Sequence, residues 1–305
     1  MKNYRMKLIK TLLFSLIYFL SEFTLAQNKT DVSLFLKQDS TVYLNEVYSK
    51  TGDMFNYLGH HGPAIENEWL GLRIYFDKRT SIDIYSKTKP GLELREARWY
   101  PTSQQQKDGW GADYYKVGET VGLGGIRLWT GNKIIKLDPV SSRYARVQRQ
   151  GSISFMELFS KNVPYKNNKI DILLRVTVFS GVRHAKVEVF ALSNIEVQFA
   201  TGVNYHKGNQ LILDNEFVLT WGIHPEDVAS EQAEVGSAII FDPNDFMHRI
   251  KDSEQYLLIS KPTKYLEYWI TSCNSKELNT NTLSKFKNYV IELTKETNYY
   301  TSSHR

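Results

Sequence analysis

Apolar and polar residues alternate with a period of two along much of this chain, and this pattern limits the folds it can adopt. In "LRIYFD" the apolar residues Leu72, Ile74 and Phe76 share one face, because successive side chains of a β-strand point to opposite sides. "SIDIY" at 81–85 repeats the pattern, and "DILLRVTVFSGVRHAKVEVFAL" at 171–192 predicts a hairpin with a Ser-Gly turn. The chain is therefore expected to be rich in antiparallel strands.

The remaining segments extend this all-β interpretation. Helical spacing occurs near the C-terminus, at Leu283, Phe286, Val290 and Leu293, with lysines between them. No repeat or linker divides the rest, so we predict one large antiparallel two-sheet β-sandwich over residues 27–305, ending in a C-terminal helix. Further strands are expected in "LILDNEFVLTWGI", "VGSAIIF", "QYLLIS" and "LEYWITS".

Residues 1–26 have the pattern of a cleaved export signal. A basic start precedes the apolar run Leu12 to Leu20, and Thr24 and Ala26 supply small residues before the expected cleavage site. The apolar run is short for a membrane span, and no cysteine follows it to carry a lipid. We expect a periplasmic or secreted protein that is not held in a membrane.

Net charge limits the classes of ligand that we expect, and cysteine content limits the sources of stability. Removing the signal, with four basic residues and one acidic residue, lowers the net charge from +5 to +2. Such a weak positive charge argues against nucleic-acid binding and suits a small anionic ligand. Cys273 is the only cysteine, so stability must come from a large core and not from an internal disulfide. Aromatic residues make up 13% of the chain, which favours sugar stacking and β-strands equally.

The first candidate site lies in "YLGHHGPAIENEWLGLRIYF", residues 57–76. Histidine is suited to proton transfer near neutral pH, and a nearby carboxylate can orient its ring. The spacing matches no standard zinc signature, so a bound metal remains an open question. For each histidine alone, a hydrogen-bonded loop residue is the ordinary alternative. The titratable candidates are His60, His61, Glu66, Glu68, Arg73 and Tyr75.

The second candidate site is the glycine-rich block "DGWGADYYKVGETVGLGGIRLW", residues 108–129. Its glycines would let the backbone approach a ligand, and the spacing differs from that of a phosphate-binding loop. A sugar cleft suits it better, although an ordinary loop is the alternative. The polar and aromatic candidates are Trp110, Asp113, Tyr114, Tyr115, Lys116 and Arg127.

Histidines in the second half of the chain are less informative. "TGVNYHKG" ends a predicted strand at His206, beside polar neighbours. His184 fits a surface position on its hairpin strand, and His224 and His248 have no neighbours that suggest a role.

Together, "HHGPAIENEWLGLRIYFDKRTSIDIYSK", "GWGADYYKVGETVGLGGIRLW" and "TGVNYHKG" resemble the ulvan oligosaccharide dehydratase family of bacterial polysaccharide-utilisation gene clusters. The resemblance extends over most of the mature chain. It implies a galactose-mutarotase-like supersandwich and an anionic oligosaccharide substrate. The implied reaction removes water from a terminal glucuronic or iduronic acid and leaves a 4,5-unsaturated uronic acid; it needs no cofactor.

This reaction places three demands on a site. The C5 proton lies next to a carboxylate, so the enzyme must offset that charge, remove the proton and assist departure of the 4-hydroxyl. We expect His60 or His61 and His206 to flank the sugar, one as base and one as acid, with Lys116 as a reserve and Asp113 as an orienting group. Arg73 or Arg127 would bind the carboxylate, and Trp110, Tyr115 and Tyr75 would contact the sugar.

Three other functions fit the same residues. A polysaccharide lyase performs the same elimination but splits the glycan, and an epimerase moves the proton without forming a double bond. A non-catalytic protein would only bind the sugar. The oligomeric state is not indicated by the sequence.

Overall fold

The structure is a computed structural model that describes residues 29–98, 100–226 and 229–302. The expected signal peptide lies outside these residues, so its cleavage, the export it implies and the domain boundary at residue 27 stay predictions. In the described part of the chain, no helix is long and apolar enough to cross a membrane.

Strands dominate the described residues, as the alternating pattern predicts. The strands are β1 (Thr30–Ser33), β2 (Glu46–Ser49), β3 (Ala64–Asn67), β4 (Leu70–Ile74), β5 (Ile82–Ser86), β6 (Arg127–Trp129), β7 (Ile134–Ile135), β8 (Ser142–Gln150), β9 (Ile153–Tyr165), β10 (Asn168–Phe179), β11 (His184–Leu192), β12 (Gln198–Asn204), β13 (Gln210–Leu213), β14 (Phe217–Ile223), β15 (Glu234–Ile240), β16 (Phe246–Lys251), β17 (Gln255–Ser260) and β18 (Tyr265–Asn274). The helices are α1 (Leu94–Ala97), α2 (Ser103–Lys107) and α3 (Leu283–Ser302), and short 3₁₀ turns occur at Gly59–His61 and Pro243–Asp245.

The strands form three antiparallel sheets. The largest has nine strands in the order β13-β14-β15-β18-β11-β10-β9-β8-β2. The others have the orders β16-β17-β12-β6-β7 and β1-β3-β4-β5. One continuous apolar core takes side chains from all three sheets. The predicted all-β class and antiparallel pairing are confirmed, and the layer facing the nine-stranded sheet is divided between two smaller sheets.

The predicted hairpin and C-terminal helix are both present. β10 pairs with β11, and the buried residues of each strand alternate with half-buried ones. Helix α3 buries Phe286, Val290 and Leu293 against β14 and β15. It thereby covers the outer face of one end of the nine-stranded sheet.

The glycine-rich block runs beside β5, in the long connection between β5 and β6. A Cβ atom on Gly111 would lie 2.1 Å from the carbonyl oxygen of Ser86, and one on Gly122 would lie 2.1 Å from that of Ile82. Gly122 also has a φ of +65°, which favours glycine. These glycines therefore let the connection approach the backbone of β5, where we had expected an approach to a ligand.

Candidate functional site

A buried arginine on β4 joins two carboxylates on the polar face of the four-stranded sheet. Arg73 pairs directly with Asp83 of β5 in the strand register. Its Nη2 atom lies 2.5 Å from Oδ2 of Asp83 and 2.7 Å from Oδ2 of Asp113. Burial opposes the charged guanidinium, yet Asp113 and Asp83 raise the pKa of Arg73 well above its usual range. Arg73 is therefore neutralised within the protein, and the structure does not present it as a clamp for a substrate carboxylate.

Tyr75 joins Arg73, Asp83 and Asp113 in a buried group that we call the acidic cluster. The Tyr75 hydroxyl donates to Oδ2 of Asp83 over 2.9 Å. Burial and the neighbouring Asp113 raise the pKa of Asp83 to about 7, although Arg73 opposes the shift. Burial also raises the pKa of Tyr75. The carboxyl of Asp83 is therefore harder to ionise than an exposed aspartate.

His60 lies against this cluster but deep inside the protein. Its Nε2 is 2.9 Å from Oγ of Ser33, and its ring meets the edge of Phe35. Its side chain is buried, and burial together with Arg73 and His61 lowers its pKa to about 3. His60 is therefore neutral and enclosed, which suits support of the loop better than contact with a sugar.

His61 is half-buried at the rim of the same cluster. Its Nδ1 donates to the carbonyl oxygen of Phe55 over 3.0 Å, so in the neutral ring Nε2 keeps the lone pair. The ring stacks on Phe55 at 3.9 Å between centroids and meets the edge of Tyr75. Burial lowers the pKa of His61.

Both adjacent histidines have left-handed backbone angles. The φ values are 55° at His60 and 60° at His61. Such angles cost a non-glycine residue roughly 1–3 kcal/mol and persist only where the surrounding structure enforces them. Here Gly59 packs beside the Phe35 ring and Gly62 packs beside the backbone of β4.

A second histidine pair lies where β12 and β14 end. The rings of His206 and His224 are 4.5 Å apart between centroids, and Tyr115 lies 4.6 Å from the His224 ring. Burial lowers the pKa of His206, and burial with the charge of His206 lowers that of His224 to about 3. Both imidazoles are therefore neutral at neutral pH.

The backbone of Lys116 gives both rings the same Nε2–H tautomer but bonds to opposite nitrogens, Nε2 of His206 and Nδ1 of His224. Nε2 of His206 lies 3.0 Å from the Lys116 carbonyl oxygen, which only accepts, so this nitrogen carries the hydrogen. Nδ1 of His224 accepts from the Lys116 N–H over 3.1 Å. In the neutral rings, His206 thus keeps a lone pair on Nδ1, and His224 keeps a hydrogen on Nε2. One ring is a proton acceptor and the other a donor.

Residues 113–116 join the two groups. Asp113 bonds to Arg73, while Tyr115 and Lys116 contact the histidine pair. Asp113 and His224 also line one small surface depression, together with Tyr114, Pro225, Glu226, Ala229, Gln232 and Ala233. Asp113 therefore bridges the acidic cluster and the depression, and its observed partner is an arginine where a histidine or lysine was expected.

Two residues predicted to bind the ligand, Arg127 and Trp110, lie outside the acidic cluster and the histidine pair. Arg127 is buried, and its Nη atoms donate to the carbonyl oxygens of Glu119, Thr120 and Ile126. Burial lowers its pKa to about 10. Arg127 therefore braces the glycine-rich block from inside the protein, where its Nη atoms bond to backbone carbonyls. Half-buried Trp110 packs on the small cluster that includes Ala64 and Tyr85.

Tyr115 is buried as well, and burial raises the pKa of its hydroxyl. Its ring supports His224 from the protein interior. Because its ring is buried, Tyr115 does not offer the exposed surface that stacking on a sugar requires.

The contacts place the sequence-predicted residues in two groups. The first group is the acidic cluster with the histidines beside it, and it contains His60, His61, Arg73, Tyr75 and Asp113. The second group is the histidine pair with its neighbours, and it contains Tyr115, Lys116 and His206.

Sequence reasoning missed Asp83 and His224. The alternation in "SIDIY" already places Asp83 on the polar face, and hairpin pairing of β4 with β5 would have put it opposite Arg73. Hairpin pairing of β13 with β14 would likewise have brought His224 back beside His206.

No group of three or more histidine, cysteine, aspartate or glutamate side chains is placed to hold a metal ion within residues 29–98, 100–226 and 229–302.

Comparison with known proteins gives a family and distant structural similarities. The family model described as a domain of unknown function, DUF4861, matches residues 20–300. No curated protein is significantly similar in sequence.

Three solved structures illustrate the distant similarities. The 4-alpha-glucanotransferase of Thermococcus litoralis is 11% identical with a TM-score of 0.35, over 70% of this chain and 37% of that one. A Klebsiella pneumoniae protein described as an aldose 1-epimerase is 7% identical with a TM-score of 0.37, over 80% and 91%. A TPR-domain protein of Parabacteroides distasonis is 10% identical with a TM-score of 0.36, over 81% and 56%. The chain thus spans about a third of the glucanotransferase and about half of the TPR-domain protein, and none of these similarities identifies an activity.

Proposed function

Because the chain belongs to the DUF4861 family, a domain of unknown function, we propose its function from the chemistry of its own residues: it removes water from the terminal uronic acid of an anionic oligosaccharide. The substrate is a saturated glucuronic or iduronic acid at the non-reducing end, as in ulvan-type glycans. The product is a 4,5-unsaturated uronic acid, and the glycan chain stays intact.

The observation that carries this proposal is that Lys116 bonds to opposite nitrogens of His206 and His224, which leaves a lone pair on one ring and an N–H on the other. An elimination next to a carboxylate needs a base for the C5 proton and a donor for the charge that develops on the carboxylate oxygens. His206 Nδ1 has the lone pair of a base, and His224 Nε2 has the hydrogen of a donor. Their lowered pKa values keep both rings neutral and ready for these roles.

His206 and His224 have separate roles in the proposed elimination. Nδ1 of His206 takes the C5 proton, and the electrons of the C5–H bond move toward the carboxylate. Nε2–H of His224 and the ammonium group of Lys116 stabilise the resulting negative charge. The C4–O bond then breaks, and the proton on His206 leaves with the hydroxyl as water.

This assignment favours glucuronic over iduronic acid. His224 stays neutral throughout, because giving up its only N–H hydrogen would leave an imidazolate. A single histidine must therefore act first as base and then as acid. That is possible in glucuronic acid, where the C5 proton and the 4-hydroxyl leave from one face of the ring.

Short oligosaccharides ending in saturated glucuronic or iduronic acid test the proposal. Absorbance of the conjugated product and loss of one water by mass spectrometry, without cleavage, are the expected result. Shortened chains would instead identify a polysaccharide lyase. Absence of both signals with both acids would refute the elimination and leave the epimerase and sugar-binding alternatives.

Variants then test the roles. His206→Gln should abolish kcat while binding persists, and His224→Gln should lower kcat by roughly 10²–10³-fold. His248→Gln is the matched control, because this histidine is exposed on β16. Full kcat in His206→Gln would contradict the assignment even if the reaction itself is found.

A further inference from the structure

The outer face of the nine-stranded sheet has an aromatic row that the proposed function does not use. Helix α3 covers this face at β14 and β15. Across the six strands from β2 to β18, directly paired residues form one line, and the two end residues are 57% and 40% exposed. The row is Tyr48, Tyr144, Phe159, Leu173, Phe190 and Tyr265.

A row of alternating charges runs beside the aromatic row. Glu157 lies at its centre, 2.7 Å from Nη2 of Arg146 and 2.5 Å from Nη2 of Arg175. Lys186 compensates the acidic end of the row, because its ammonium lies 2.8 Å from Glu267. The charges run negative, positive, negative, positive, negative, negative along Glu46, Arg146, Glu157, Arg175, Glu188 and Glu267.

We propose that this face binds a second copy of the chain. A twofold axis along the strands, between β9 and β10, places β9 opposite β10 and β8 opposite β11. Glu157 then faces the partner's Arg175, and Arg146 faces the partner's Glu188. The aromatic rows of the two copies coincide at the same time, so one symmetry operation satisfies both rows.

At the ends of the interface, Glu46 faces the partner's Glu267. Lys186 already neutralises that carboxylate within each chain, so the repulsion at this end is reduced. The central four charges of the row are complementary to their own reversed order. This self-complementarity favours a second copy over an unrelated partner.

The composition of the face also fits a dimer. Six strands about 4.8 Å apart, with two side-chain rows about 6.8 Å apart, give roughly 390 Å² in projection. A standard interface buries about 800 Å² per partner, so the two rows supply about half of that area. Tyrosine, phenylalanine and arginine are also the residues that interfaces favour.

Sedimentation of the purified protein over a range of concentrations tests the proposal. The unmodified protein should have twice the mass of one chain. Phe159→Glu should weaken the dimer by roughly 30-fold or more, because Phe159 lies next to the axis. Leu278→Glu is the control, since Leu278 is 81% exposed in the loop between β18 and α3 and belongs to neither row. A protein that stays monomeric, or a dimer unchanged by Phe159→Glu, would overturn the proposal.

Cross-linking gives a second measurement that does not depend on weakening the fold. Cys273 is buried, so a cysteine introduced on the surface is the reactive one. Leu173→Cys should join two copies through a short bis-maleimide, and Leu278→Cys should not. Equal cross-linking of both variants would contradict the axis. If the protein is monomeric and binds oligosaccharide in a manner lost in Phe159→Glu, the face is a sugar platform and the dimer is refuted.

Discussion

Replacing Arg73 with methionine isolates the energetic role of the buried acidic cluster. The arginine side chain is 1% exposed and contacts both Asp83 and Asp113. Methionine retains much of the apolar volume but leaves two buried carboxylates without their cation. Breaking a buried ion pair in this way costs about 3–5 kcal/mol of unfolding free energy.

The cost should depend on pH. Asp83 already has a pKa of about 7 in the presence of Arg73. Without the arginine, the carboxyls of Asp83 and Asp113 bind protons in the folded protein at pH values above about 4. The same carboxyls in the unfolded chain do not bind protons in that range. The unfolding free energy of Arg73→Met should therefore recover as the pH falls from about 8 toward 4. Adding Asp83→Asn should recover part of the loss at pH 8.

Urea unfolding at several pH values measures these free energies. Arg249→Met is the control: this arginine is on the surface and donates to two backbone carbonyls, so its loss should cost about 1 kcal/mol or less. A loss below about 1 kcal/mol for Arg73→Met at pH 8, or one that is the same at every pH, would refute the ion-cluster reasoning.

Three further predictions concern the same framework. Gly111→Ala should cost at least about 2 kcal/mol in urea unfolding, because its Cβ would overlap the backbone of β5; Gly91→Ala, which meets nothing within 4 Å, should stay within about 0.5 kcal/mol, and equal losses would contradict this. Phe286→Ala should cost about 3–5 kcal/mol, since Phe286 is fully buried between α3 and the sheet; a loss near zero by thermal or urea unfolding would show that the helix does not stabilise the fold. The unfolding free energy should fall as pH decreases from about 6.5 to about 3, because the unfolded chain then binds protons that folded His60 and His224 do not, their pKa values being about 3; Asp83, whose folded pKa is raised to about 7, offsets part of this fall. His60→Asn and His224→Asn should each flatten that slope, and an unchanged slope in both would contradict the pKa assignment.

The family match and the chemistry of the histidines support different statements about function. The family match covers residues 20–300 and assigns no activity. The elimination reaction is our proposal from the hydrogen bonds that Lys116 makes to the two histidines. Its failure would leave the dimer proposal intact, because the outer face and the histidine pair share no residue.

Local periodicity determined the secondary structure of this protein. A strand exposes alternate residues on opposite faces and a helix returns to one face every three to four residues. For that reason, the sequence alone was enough to predict β4, β5, the β10–β11 hairpin and the apolar face of α3. It also marked Arg73 and Tyr75 as polar residues on one side of a strand.

Only the tertiary structure decided which of these residues act together. Asp113 reaches Arg73 because glycines in a long connection let its backbone pass close to β5, and hydrophobic alternation carries no information about such a path. His224 meets His206 because a hairpin returns the chain to the same point. The backbone N–H of Lys116 then bonds to His224 and its carbonyl oxygen to His206, so one residue sets the tautomer of both rings. Strand formation depends on near neighbours in the chain, whereas these contacts depend on register and loop path, which are settled only when the whole core packs.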